Sequence, residues 1–130
     1  MADYKLQPAS LMLECPFGTF FETVSARFGM YGVPSFPMAY LLLFWGSVQN
    51  DFWAFDHNPV AYATHIRTPT LLMYGAQDPK VSRAETDRIY VNLKGQKSLK
   101  VFPLAGHENY LHKYENEWKQ EVQSFLAGQP

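Results

Sequence analysis

The hydrophobic positions of this chain fall into short apolar runs separated by Gly and Pro, with one long aromatic stretch between them. "SLMLECPF", Ser10 to Phe17, is a brief apolar run stopped by Pro16 and Gly18. Its length predicts a buried strand and not a helix. "IRTPTLLMYGAQD", Ile66 to Asp78, holds a second strand: Pro69 precedes "TLLMY" and Gly75 ends it. Ser82 and Glu85 then form an S-x-x-E capping box, and Thr86, Ile89 and Leu93 continue as a helical stripe. Gly95 is placed as the residue after the helix end. "SLKVFPL" predicts a third strand with Leu99 and Val101 on one face. A last helix is predicted from about His112 to Leu126, with Tyr114, Trp118, Val122 and Phe125 on its apolar face.

Strand, helix, strand, helix is the order of a parallel sheet with crossover helices, so the second half reads as α/β. The section from Gly18 to Ala63 is different. "TVSARF" suits at least one helical turn. "PSFPMAYLLLFWGSVQNDFWAF" suits one or two apolar helices, entered after Pro37 and interrupted near Gly46. Most of the phenylalanines and two of the three tryptophans lie between Phe17 and Phe55.

Composition narrows the classes. With 130 residues, 47% hydrophobic and 18% charged, the chain suits one globular domain with one core. Eleven basic and twelve acidic residues give a net charge of −1, and no basic patch suggests nucleic acid. Cys15 is the single cysteine, so no internal disulfide forms. A reducing, cytoplasmic setting is expected from that and from a first segment without an apolar signal region. No charge occurs between Arg27 and Asp51, but the compact apolar core "MAYLLLFWGSV" falls short of the ~20 residues of a membrane span.

Two polar residues stand out. Asp78 follows the "TLLMYG" strand and His107 follows "LKVFPLAG". In open α/β sheets functional groups gather beyond the carboxyl ends of strands, so neighbouring parallel strands would bring the two together. A carboxylate there can fix the tautomer of the imidazole and leave its other nitrogen as a base. Ordinary turn chemistry also places Asp after Gly.

"TPTLLMYGAQDPKVS" followed by "LKVFPLAGHENYL" resembles the C-terminal part of an α/β-hydrolase. The "NP" and "YA" before "IRTPTLL" resemble the approach to the seventh strand of that fold, and "SLMLECPFGTFFETV" the sixth strand and the loop leaving it. The resemblance covers essentially the whole chain and implies a partial hydrolase domain. Residues 1–16 would be the approach and the sixth strand. Residues 17–63 would be a lid-like segment lining an apolar substrate pocket. Residues 64–130 would be the last two strands and helices, carrying the acid Asp78 and the base His107 of a Ser-Asp-His triad. An ester, amide or related small-molecule substrate is implied, and no cofactor.

The sequence departs from the family in one respect that matters. It contains no G-x-S-x-G nucleophile elbow. "WGSVQN" around Ser47 lacks the second glycine and lies in a lid helix; "LECPFG" around Cys15 is no elbow either, and Cys15 reads as a core thiol. The oxyanion donors of the family also lie upstream. The chain therefore resembles the C-terminal third to half of a hydrolase: a truncated gene, an internal start, or one half of a split protein. Such a piece would be inactive alone, would need an N-terminal half, and would self-associate through the exposed edge Ser10–Glu14. A non-catalytic module binding a partner or an apolar ligand is the alternative. No metal is expected: His57 and His65 lack ligand spacing, and "HENYLH" spaces its histidines one residue too far apart for H-E-x-x-H.

Overall fold

A computed structural model describes residues 8–128. Three parallel strands form one sheet in the order β1 (Leu11–Glu14), β2 (Thr70–Gly75), β3 (Lys97–Phe102). Leu11 pairs with Thr70, and Thr70 with Lys97, so the three strands start in register and run the same way, with Glu14 of β1 ending opposite Met73 and β2 and β3 ending together at Gly75 and Phe102. The helices are α1 (Phe20–Met30), α2 (Met38–Asn50), α3 (Pro59–Ala63), α4 (Arg83–Asn92), α5 (Tyr110–Lys113) and α6 (Glu115–Ala127), with one 3-10 turn at Ala54–Asp56.

The central strand explains the layering. Every residue of β2 is buried. Its side chains alternate, so Leu71 and Met73 point to one face and Leu72 to the other. On the first face they meet Phe102, Ala105, Tyr110, Val122 and Phe125. On the second, Leu72 meets Ala63, Ile89 and Leu93, with Leu13 and Leu99 packed alongside. Helices therefore cover both faces, as an unbroken apolar strand requires. Burying one such large side chain contributes about 1.5–3 kcal/mol.

The capping box is formed. The Ser82 hydroxyl accepts from the Glu85 amide, and Glu85 Oε2 accepts from the Ser82 amide at 2.8 Å. Glu85 has a second role: its Oε1 accepts from the Gly18 amide at 3.1 Å, tying the start of the aromatic segment to α4. The end of that segment returns to the same place, because the Val60 amide donates to the Gly18 carbonyl and the Phe20 amide to the His57 carbonyl. Residues 18–60 thus leave the sheet and come back beside their own start.

Three local expectations change. The helix after Pro37 is one element, running through Gly46 to Asn50 without interruption. A lone glycine costs about 1 kcal/mol in a helix and does not stop it. The last helix is two, because Tyr114 (φ −126°, ψ 44°) breaks α5 from α6. Gly95 is not the residue after the helix end in the left-handed sense; α4 is capped at Leu93 in extended conformation. Gly95 is needed for closeness, since a Cβ there would stand 2.2 Å from the Arg67 carbonyl oxygen. Among the described residues, no helix is long and apolar enough to cross a membrane.

Candidate functional site

The loops after β2 and β3 are fastened to each other by their backbones. Ala76 donates to the Phe102 carbonyl and Gln77 to the Ala105 carbonyl, each at 2.9 Å. These bonds fix the relative position of two residues 29 apart in sequence: His107 Nδ1 lies 2.8 Å from Asp78 Oδ2. The side chain of Asp78 is fully buried, while that of His107 is 34% exposed. A carboxylate facing Nδ1 makes that nitrogen the donor, so the lone pair is left on Nε2.

Asp78 is held from behind. Its Oδ1 accepts from the Lys80 amide at 2.7 Å and the Val81 amide at 3.1 Å. Burial works against its charge. The hydrogen bonds from Lys80, His107 and Val81 outweigh that and hold the carboxyl below its ordinary value of 3.8. The turn chemistry and the pairing with His107 are thus properties of one side chain, one oxygen serving each.

Gly75 makes the approach possible. A Cβ at this position would lie 2.5 Å from the Ala105 carbonyl oxygen, 2.6 Å from that of Gly106 and 2.8 Å from the Tyr110 hydroxyl. The first two are backbone atoms of the His107 loop and cannot move without carrying His107 away. Gly75→Ala is expected to lower stability by about 3 kcal/mol, and Tm by about 10 °C. Gly46→Ala, where a Cβ meets nothing within 4 Å, should hold or raise Tm. Thermal melts of the two variants, read together, check this.

Sequence reasoning missed two contributors. Tyr110 is fully buried against Phe102, and its hydroxyl meets the Cys15 thiol. Cys15 follows β1 in left-handed conformation (φ 45°). It packs against the core at the end of β1, as expected, and being half-buried it also stands at the same sheet edge as Asp78 and His107. Burial pushes this thiol up to about 11 against the lowering hydrogen bond of Tyr110, and the hydrogen bond and charge of Asp78 add to the rise. No periodicity distinguishes it from any residue that ends a strand. A cleft of about 260 Å³ opens beside it, lined by Glu14, Cys15, His107, Glu108 and Asn109.

Ser47 is remote in kind from a nucleophile. It is buried in α2, where its hydroxyl donates to the Leu43 carbonyl at 2.6 Å and accepts from the Ala54 amide at 2.9 Å. His57 sits among the rings of Phe17, Phe20, Phe52 and Tyr62. His65 meets Thr64.

Comparison with solved structures bears on this arrangement. An esterase of Pyrococcus furiosus superposes on 97% of this chain with a TM-score of 0.66 at 20% identity, this chain covering 47% of that one. Acetyl xylan esterase 1 of Thermoanaerobacterium superposes on 89% of it with a TM-score of 0.57 at 19% identity, with 38% of the esterase covered. The chain has the fold of the C-terminal part of an α/β-hydrolase. The chain is also 26% identical, over 114 residues, to the uncharacterized protein YqkD of Bacillus subtilis. The match spans 87% of this chain and 37% of YqkD. No protein-family profile matches. The chain thus spans under half the length of the proteins it resembles.

Proposed function

We propose that Asp78 and His107 are the acid and base of a hydrolytic triad acting on an ester or related bond, and that the nucleophile and oxyanion donors come from polypeptide outside these 130 residues. The observation that carries this is the 2.8 Å contact of a buried carboxylate with Nδ1 of a partly exposed imidazole. It stands at the shared edge of adjacent parallel strands, where the α/β-hydrolase fold assembles its chemistry. The hydroxyl of Ser47, in the near match to the elbow motif, is committed to Leu43 and Ala54 and not to the pair.

In the reaction, Nε2 of His107 takes the nucleophile's proton as the bond to the substrate carbonyl forms, then delivers it to the leaving group. Asp78 keeps the ring in the productive tautomer and stabilises the transient imidazolium. The aromatic excursion serves as a lid over an apolar substrate group. It contains a cavity of about 530 Å³ whose walls include Phe20, Val24, Leu42, Leu43 and Phe52, within the size range of small-molecule sites. The same cavity favours the second reading, an apolar-ligand module without catalysis.

The test is hydrolysis of a general ester by this chain alone, and by this chain mixed with a hydrolase N-terminal half bearing an elbow. Activity is expected only on mixing. Activity of the lone chain that disappears in His107→Ala would place the nucleophile among these residues and overturn the proposal. An inactive mixture that still binds apolar ligands would favour the second reading.

Self-association is expected as well. Among the described residues β1 pairs only with β2, which leaves its other edge open, and Met12 is 42% exposed. Unpaired strand edges recruit further strands. Light scattering should find dimers or larger species of the lone chain, with Met12→Lys shifting them towards monomer. A monodisperse monomer with a cooperative melt would contradict this.

A further inference from the structure

Three strand ends converge at the site, and each brings a different donor atom. Cys15 Sγ follows β1, an Asp78 carboxylate oxygen follows β2, and a His107 ring nitrogen follows β3. These three atoms all lie within 4.8 Å of one another. The acid–base reading uses two of them and gives the thiol no task. We propose that Cys15, Asp78 and His107 form a binding site for one zinc-like divalent cation, with a fourth coordination position open to the adjoining cleft.

Donor chemistry selects the class of ion. Thiolate, imidazole and carboxylate together suit a borderline-soft metal such as Zn²⁺ and not Mg²⁺ or Ca²⁺, which take oxygen ligands. Charge agrees: a thiolate, a carboxylate and a neutral imidazole sum to −2 and balance a dication. On binding, the thiol proton leaves to solvent. If Nδ1 is the ligating nitrogen, its hydrogen is replaced by one on Nε2, so the ring stays neutral and one proton is released per ion.

The required movement is small. Zinc bonds of about 2.0–2.3 Å at tetrahedral angles separate neighbouring ligand atoms by about 3.3–3.7 Å. The thiol must close in by about 1.5 Å at most, and the 2.8 Å His107–Asp78 contact must open by roughly half an ångström. Both are side-chain rotations. Supporting contacts are already present. Oδ1 of Asp78 is held by the Lys80 and Val81 amides, leaving Oδ2 for the ion. The Tyr110 hydroxyl at Cys15 can donate to a thiolate. Such outer contacts orient ligands and tune affinity. The cleft of about 260 Å³ beside Cys15 and His107 has room for a bound water in the fourth position.

Occupancy would take the imidazole out of proton transfer. If the acid–base proposal holds, the ion is therefore a reversible inhibitor; binding itself does not depend on that proposal. The experiment is titration of this chain with Co²⁺, a spectroscopic substitute for Zn²⁺. One equivalent is expected to produce thiolate-to-cobalt absorption in the near ultraviolet, removed by competing Zn²⁺. Cys15→Ser should abolish the band. His107→Ala and Asp78→Ala should weaken binding at least tenfold, and His112→Ala should leave it unchanged. Far-ultraviolet circular dichroism identifies any variant that fails to fold. For such a variant, zinc-edge X-ray absorption of the wild-type chain supplies the answer by counting one sulfur and a histidine ring in the zinc shell. Absence of the thiolate band, its survival in Cys15→Ser, or indifference to His107→Ala in a folded variant would overturn the site.

Discussion

His107→Ala in the reconstituted hydrolase is expected to lower kcat by about 10⁴-fold or more, with the fold unchanged. In the proposed reaction the imidazole moves the proton; its removal takes the partner from Oδ2 of the buried Asp78 carboxylate, while the Lys80 and Val81 amides still hold Oδ1. The loss belongs in kcat and not in KM, because the proton moves only as the bond to the substrate carbonyl forms. His112→Ala supplies the control: His112 sits in α5, where its amide donates to the Asn109 carboxamide. Steady-state kinetics on an activated ester separates the two variants. A loss below tenfold in His107→Ala would remove the histidine from the reaction.

Asp78→Asn is the second large effect, also about 10⁴-fold, by a different cause. The Lys80 and Val81 amides both donate to Oδ1. An asparagine must keep its carbonyl oxygen there to satisfy them, and that turns its NH₂ towards His107. Nδ1 then becomes the acceptor, the proton moves to Nε2, and the base faces its nucleophile already protonated. Shape is preserved and the tautomer is wrong. The same substitution alters stability in acid. The carboxyl of Asp78 is held below 3.8 in the folded chain. Its ionised form therefore contributes stability above that value, and the contribution is lost as pH falls through the lower folded value. The wild-type chain should lose stability between about pH 4 and pH 2 more steeply than Asp78→Asn. Equal slopes in acid unfolding curves would contradict the pairing.

The strands and the capped helix were legible in the sequence because each has a local cause. "TLLMY" between Pro69 and Gly75 has few alternatives to a buried strand, and Ser82 with Glu85 announces a helix start. The Asp78–His107 pair was legible for the same reason, since both residues follow strands whose parallel order the pattern implied. What was not legible depends on contacts between distant segments. The fastening of the Asp78 loop to the His107 loop is a set of backbone bonds that any side chains could accompany. The need for glycine at Gly75 comes from carbonyls some thirty residues later. Cys15 joined the site through the left-handed turn that follows β1, and Tyr110 through its place at the start of α5, directly after the His107 loop.

Reaction with a fluorophosphonate, which phosphonylates activated serines, bears most directly on the division of labour. In the mixture of this chain with an N-terminal half, the adduct is predicted on a serine of that half, and to disappear when His107 is replaced by alanine. An adduct on Ser47 or Cys15, or one on the N-terminal half that forms equally fast without His107, would contradict it.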